Sequence, residues 1–161
     1  MSLILSFSEQ KPIVKIKQSI KNVSEYPSRF AVWSVTLLAP GGIGITPIGK
    51  SKTGCLPNRT IALWDYICLI DKRHEITEHS VKIAYDEHEE KPFKIGFNAE
   101  SGFSCYAVNG QIFTKCFQPY KNAEYPEFSC NFESYTNKLF LECELLGELR
   151  TVLSYESSTL E

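Results

Sequence analysis

An Asn-Gly pair, Asn109 and Gly110, separates two runs in which apolar and polar residues alternate, within FSCYAVNGQIFTKC (103–116). Asn and Gly both tolerate the positive φ angles that a two-residue type I′ turn requires, so the segment is predicted to form a β-hairpin. That turn sets the register and predicts that Ala107 pairs with Ile112. Large apolar groups fall on both hairpin faces, which favours a place inside a sheet covered on both sides.

Strand signals extend along most of the remaining chain, and HSVKIAYDE (79–87) also alternates apolar and polar residues. The other segments rich in apolar and β-branched residues are 13–20, 29–39, 42–50, 59–70, 79–87, 91–99, 127–135 and 138–146. Short strands recurring about every ten residues, with Gly, Pro and Asn between them, indicate an all-β sandwich or barrel. A chain of 161 residues is of single-domain length. We therefore predict one antiparallel β-sandwich domain over 1–161, with its core at about 11–150 and frayed ends, including the polar tail YESSTLE.

The charge and the apolar content restrict the partners. A net charge of −2 gives no basic footprint, so we expect no nucleic-acid partner. No run reaches the roughly 18 apolar residues of a membrane span, and Asp65 interrupts the nearest candidate, TIALWDYICLI (60–70). The start, MSLILSF, has no basic region and is not interpreted as a signal peptide. We expect a cytoplasmic protein and leave open export without a signal peptide.

Six cysteines stand at positions 55, 68, 105, 116, 130 and 143. An even number would suit three disulfides in a secreted chain, but no secretion signal and no Cys-x-x-Cys pair occurs. Several of these cysteines lie in apparent strands, where a thiol behaves as a small apolar group. We therefore expect free thiols.

Two short motifs come close to catalytic or metal-binding patterns. HEITEH (74–79) lacks the second imidazole of a His-Glu-x-x-His zinc site, because Glu78 takes its place. GIGITPIGKS (42–51) matches the spacing of a phosphate-binding loop, but Pro47 lies within it and the residues that follow cannot start a stable helix. We expect a non-enzymatic protein with no metal and no cofactor.

The order of the strands is similar to that of a known family. EKPFKIGFNAESGFSCYAVNGQIFTKCFQPY resembles the late strands of galectins, the β-galactoside-binding lectins, including their Val-Asn-Gly hairpin. SRFAVWSVTLL resembles the galectin strand that opens with Arg-Phe. The resemblance covers roughly residues 11 to 146, and it implies a jelly-roll sandwich and a carbohydrate-binding function.

The resemblance implies a carbohydrate site at Thr46, Lys50, Asn58 and Trp64. Trp64 would stack on the apolar face of a sugar, although core packing is an alternative role for it. The His, Asn and Arg of the family motif are replaced by Thr46, Ile48 and Lys50. A lysine offers one point charge where arginine offers a planar fork, so the site is predicted to be degenerate or altered.

Two functions remain open from the sequence. The first is a galectin-like carbohydrate-binding module with an altered sugar site, whose partner is a glycan or a glycoprotein. The second is a β-sandwich interaction or structural domain that binds a protein and no sugar. Either function is compatible with a homodimer. We predict no binding of lactose at millimolar concentration.

Overall fold

The computed structural model describes residues 1–49 and 51–161. Within them, fifteen strands are each antiparallel to their partners, and Pro126–Ser129 forms a short turn with left-handed backbone angles. The all-β antiparallel fold predicted from the sequence is therefore confirmed. In this described part of the chain, no helix has the length and apolar composition needed to cross a membrane.

Two five-stranded sheets form the body of the protein. In chain order the strands are β1 (Ser2–Phe7), β2 (Val14–Lys21), β3 (Ser28–Phe30), β4 (Trp33–Leu38), β5 (Ile43–Pro47), β6 (Ile61–Leu63), β7 (His74–Ile76), β8 (Ser80–Ala84), β9 (Phe93–Phe97), β10 (Phe103–Val108), β11 (Gln111–Cys116), β12 (Phe132–Thr136), β13 (Leu141–Leu146), β14 (Arg150–Val152) and β15 (Ser157–Leu160). Sheet I has the order β11-β10-β5-β8-β7, and sheet II has the order β4-β13-β12-β9-β6. Sheet III (β1-β2-β15) and a ribbon of β14 and β3 complete the fold.

The inner faces of sheets I and II meet in one apolar core. Strand β9 of sheet II contributes Phe93, Ile95 and Phe97, and strand β8 of sheet I contributes Val81 and Ile83. Each of these side chains is almost completely buried. Because alternate residues of a strand point to opposite faces, burial of this set directs the residues between them to the outer faces. The two sheets therefore pack as a sandwich.

The hairpin predicted around the Asn-Gly pair is present as β10 and β11, with Ala107 opposite Ile112. Asn109 has a φ of 49° and Gly110 a φ of 73°, as a type I′ turn requires. Its expected place inside a covered sheet is wrong, because β11 is an edge strand and Ile112 is 72% exposed. Turn residues fix the pairing of two strands, but the next strand in a sheet comes from elsewhere in the chain.

The ends of the chain also differ from the expectation of fraying. Residues 2–7 form β1, and β15 pairs with β2 so that Ser158 and Leu160 are buried. The predicted strand at 59–70, by contrast, is reduced to β6, and the residues after it form a loop. Contacts that are distant in sequence decide both outcomes.

The cysteines are unbridged, as predicted. All six are free thiols, and Cys130 and Cys143 are buried. Burial raises the pKa of Cys130 to about 12 and that of Cys143 to about 11. These two thiols therefore stay protonated and act as core groups.

Candidate functional site

The outer face of sheet II carries charged residues where a solvated surface was to be expected. One row across the strands is formed by directly opposite residues, in the order Val35, Glu144, Glu133, Gly96 and Ala62. The neighbouring row is Leu37, Glu142, Tyr135 and Lys94. The strand register thus brings three glutamates and one lysine together on a single sheet face.

Three of these charged groups form a buried ion cluster. The Nζ atom of Lys94 lies 2.7 Å from Oε2 of Glu133 and 3.1 Å from Oε2 of Glu144. Both glutamates are fully buried, and the lysine side chain is 11% exposed. The Oε1 atoms of Glu133 and Glu144 have no hydrogen-bond partner among the described residues. One ammonium group therefore compensates two carboxylates that have lost their water.

Burial and ion pairing act in opposite directions on this cluster. Burial raises the pKa of Glu133 to about 7, even though the ammonium of Lys94 lowers it, and the charge of Glu127 raises it further. Burial also lowers the pKa of Lys94, but the two carboxylates outweigh this effect and raise it above its ordinary value. Lys94 is therefore charged at neutral pH, while Glu133 titrates in the physiological range.

Two indole rings enclose the lysine. The Nζ atom of Lys94 lies 5.2 Å from the ring centroid of Trp33 and 4.7 Å from that of Trp64, which are cation–π distances. The Nε1 group of Trp33 donates a hydrogen bond of 2.9 Å to Oε2 of Glu144. Trp33 is nevertheless 56% exposed. The ion cluster thus fixes the orientation of a tryptophan that presents much of its surface to solvent.

The absence of a side chain at Gly96 allows Trp64 to lie against the sheet. A Cβ atom at this position would come within 3.3 Å of Cη2 of Trp64, 3.2 Å of Cγ of Glu133 and 2.9 Å of Sγ of Cys130. Any larger residue would therefore push the buried thiol, Glu133 or Trp64 away from this position of β9.

A strained turn supports this side of the cluster. Glu127, Phe128 and Ser129 have φ angles of 50°, 62° and 70°, so three consecutive non-glycine residues lie in the left-handed region. Such a conformation costs roughly 1 to 2 kcal/mol per residue. The turn leads directly into Cys130, whose thiol packs beside Gly96. Strain in the backbone is thus tolerated next to the buried ion cluster.

We name this surface the sheet II platform and define it by Trp33, Trp64, Tyr66, Lys94, Glu133, Tyr135, Glu142 and Glu144. Tyr66, two residues after Trp64, is included in it; burial raises the pKa of its hydroxyl, which the charge of Lys94 lowers and that of Glu144 raises. Burial and the nearby Glu144 raise the pKa of Glu142. The platform can stack a flat apolar group on an indole and accept hydrogen bonds from a ligand at its acidic edge.

The residues predicted for the sugar site do not lie together. Thr46 is buried between the sheets, where its Oγ1 atom is 2.7 Å from Oγ of Ser104. Trp64 belongs to the platform on the outer face of sheet II. Asn58 is exposed in the loop before β6 and donates a hydrogen bond to the carbonyl of Ser51. Lys50 lies outside the described residues.

Asn58 contributes to a separate surface pocket of about 490 Å³. Its lining is mainly polar or charged, and it consists of Ser51, Lys52, Thr53, Gly54, Leu56, Asn58, Arg59, Glu78 and His79. The guanidinium of Arg59 donates a 3.3 Å hydrogen bond to the carbonyl of Gly49, which ties the two sides of this loop. Among the described residues that line this pocket, none is a buried charge and none is Trp, Tyr or Phe, so it presents fewer specific features than the platform.

Sequence reasoning did not identify Trp33, Lys94, Glu133 or Glu144 as site residues. Each charged residue alternates with apolar neighbours in its strand, as in KPFKIGF and LECELL, and such alternation is typical of a solvated face. A signal that could have identified them is the presence of a lysine and of glutamates on the same face of strands that are predicted to be neighbours in a sheet.

The fold and the platform define an all-β sandwich protein with a buried ion cluster beneath two indoles. Comparison with known proteins adds no relative: no family model, no curated protein and no solved structure matches the chain.

Proposed function

We propose that the protein is a non-enzymatic, galectin-like carbohydrate-binding module of the jelly-roll type, and that its glycan lies on the sheet II platform. The observation that carries the proposal is Trp33, which is 56% exposed yet fixed by a hydrogen bond to the fully buried Glu144. A rigid, accessible aromatic ring is the group that stacks on the apolar face of a sugar. Its orientation is set before binding, which reduces the entropy lost on association.

Polar groups on the same sheet face as Trp33 can select a glycan. The carboxylate of Glu142 is partly exposed, and the hydroxyl of Tyr66 is on the same surface. A carboxylate accepts hydrogen bonds from sugar hydroxyls, whereas it repels carboxylated or sulfated sugars. The platform contains three glutamates against one lysine, so the proposal specifies a neutral glycan.

The position of the charged groups supports a binding role rather than hydrolysis. Glu133 and Glu144 are fully buried beneath the aromatic rings and are bound to Lys94. Hydrolysis of a glycosidic bond needs two carboxyl groups that reach the substrate and a water molecule. Here Glu144 accepts a hydrogen bond that fixes the ring of Trp33, and Glu133 is paired with Lys94.

The test is a glycan array followed by titration, with tryptophan fluorescence as the readout. We expect a neutral glycan to bind wild type and the Trp33→Ala variant to lose at least about tenfold in affinity, as expected for loss of an aromatic anchor. Tyr26→Ala is the matched control, since Tyr26 is 75% exposed and belongs to no strand of sheet II. We expect lactose to give no signal at millimolar concentration. Absence of binding to every glycan, or equal binding by the Trp33→Ala variant, would contradict the proposal.

The second candidate function, a protein-binding domain without sugar affinity, is favoured by one feature. Trp33, Val35 and Leu37 form an apolar stripe on the outer face of the edge strand β4, and they are 56%, 43% and 63% exposed. Exposed apolar stripes are typical of protein interfaces. Two results together would favour this function: no binding to any glycan on the array, and binding of a protein partner that is lost in the Leu37→Ser variant.

A further inference from the structure

The hairpin of β1 and β2 extends beyond the body of the protein. Strand β15 pairs only with residues 18–21 of β2, so residues 14–17 pair with β1 alone. Every residue of β1 and the first four residues of β2 are exposed. We name residues 2–7 and 14–17 the β1–β2 arm. A two-stranded hairpin without a covered face is marginally stable in water, so this arm needs a partner surface.

The arm has one apolar face and one basic face. Directly opposite residues share a face, so the cross-strand pairs Leu5–Ile16 and Phe7–Val14 define the apolar one, which Leu3 extends. The exposed fractions of these five residues are 55% for Leu3, 48% for Leu5, 72% for Phe7, 48% for Val14 and 39% for Ile16.

The opposite face carries Lys15 and Lys17 on β2, and Ser2, Ile4 and Ser6 on β1.

The apolar face continues a surface that is covered nearer the body. Along β2, the residues on this side after Ile16 are Gln18 and Ile20, and Ile20 packs against the main core. Leu160, which is opposite Gln18, is 8% exposed. This face of sheet III is therefore buried next to the body of the protein and exposed to solvent along the β1–β2 arm.

We propose that the apolar face of the arm binds the same face of a second copy of the chain, forming a two-fold symmetric dimer. No charged residue lies on this face, so two copies meet without repulsion, and a two-fold axis near the central pair Leu5–Ile16 makes the face self-complementary. The two arms then pack as face-to-face sheets, with Lys15 and Lys17 pointing to solvent.

The exposed area agrees with a weak dimer. Five half-exposed side chains amount to roughly 450 Å² of apolar surface per copy, if each side chain has on the order of 150 to 200 Å². Two copies would bury about 900 Å², which is below the roughly 1,200 Å² of stable interfaces and typical of transient ones. The dissociation constant is therefore expected in the micromolar range, about 1 to 100 µM.

The distribution of lysines argues against a lipid surface as the occupant. A hairpin that inserts its apolar face into a bilayer attracts anionic headgroups with basic residues on the flanks of that face. Lys15 and Lys17 are on the opposite face, so they would point away from the membrane.

Sedimentation velocity from about 1 to about 200 µM tests the proposal, because this range spans the expected dissociation constant. We expect wild type to shift from monomer to dimer, and Leu5→Glu to weaken dimerisation at least about tenfold, since two carboxylates would face each other in an apolar interface. The control is Ile4→Glu, which places the same charge on the opposite face at a residue that is 55% exposed, and it should dimerise as wild type does. Circular dichroism checks that both variants are folded.

Two further readouts complete the experiment. Hydrogen–deuterium exchange at the arm should slow several-fold as the protein concentration rises, in wild type and in Ile4→Glu only. Co-sedimentation with vesicles of phosphatidylcholine and phosphatidylserine should leave the protein in solution. A monomer throughout the range, equal dimerisation by Leu5→Glu, or sedimentation with the vesicles would each overturn the proposal.

Discussion

Replacement of Lys94 by methionine tests the energetic role of the ion cluster. Methionine keeps a flexible apolar stem between the two indoles and removes only the ammonium group, which lies 2.7 Å from Glu133 and 3.1 Å from Glu144. Removing one partner of a buried ion pair typically costs about 3 to 5 kcal/mol, because the remaining charge is buried and uncompensated. We expect Lys94→Met to lower the free energy of unfolding by about 4 kcal/mol at pH 8, a large part of the stability of a typical domain.

The cost should depend on pH. Without Lys94 the two carboxylates bind protons more readily in the folded protein, which relieves the buried charge at lower pH. A carboxyl group whose pKa is higher in the folded than in the unfolded state stabilises the folded protein at pH values below its unfolded pKa. This stabilisation is lost as the pH rises through its folded pKa. The destabilisation by Lys94→Met should therefore be smaller at pH 5 than at pH 8.

Urea unfolding at pH 5 and pH 8, followed by tryptophan fluorescence, measures both effects. The matched control is Lys138→Met, which removes an exposed ion pair, 2.9 Å long, with Glu90. That pair is accessible to solvent, so its loss should cost less than about 1 kcal/mol. If Lys94→Met cost no more than the control, or the same at both pH values, the description of a buried and mutually dependent cluster would be refuted.

Three further predictions concern the titration of Glu133, the hairpin turn and the thiols. Because burial raises the pKa of Glu133 from 4.5 to about 7, its stabilising contribution is present below about pH 4.5 and is lost as the pH rises through 7. Urea unfolding measures the free energy of unfolding from pH 4 to pH 8, and its decrease over this range should be smaller by up to about 3 kcal/mol in Glu133→Gln than in wild type. An equal decrease in both proteins would contradict this prediction. Gly110→Val should lower the free energy of unfolding by about 2 kcal/mol, since a β-branched residue resists a φ of 73°; an unchanged melting temperature would argue against the type I′ turn. Mass spectrometry after alkylation under denaturing, non-reducing conditions should find six modified cysteines, and three unmodified pairs would instead indicate disulfides.

Local chemistry in the sequence was sufficient for several strands of sheets I and II and for the turn of the hairpin. Alternation of apolar residues predicted β8, β10 and β11, because a strand that buries one face must repeat every second residue, and apolar segments predicted β9 and β13. The Asn-Gly pair predicted both the turn and the register of its hairpin, because few residue pairs tolerate two positive φ angles. The all-β antiparallel class follows from these local preferences.

Which strands become neighbours was decided only in the tertiary structure. Lys94, Glu133 and Glu144 are up to 50 residues apart, and they meet because β9, β12 and β13 lie side by side in sheet II. The hairpin predicted for the interior is at an edge, while the tail predicted to fray is paired with β2. Backbone hydrogen bonds between strands are the same for every sequence, so their partners are selected by side-chain packing over the whole domain. For that reason the sequence predicts strands one by one, whereas the buried ion cluster, its two indoles and the bare apolar arm exist only once the sheets are assembled.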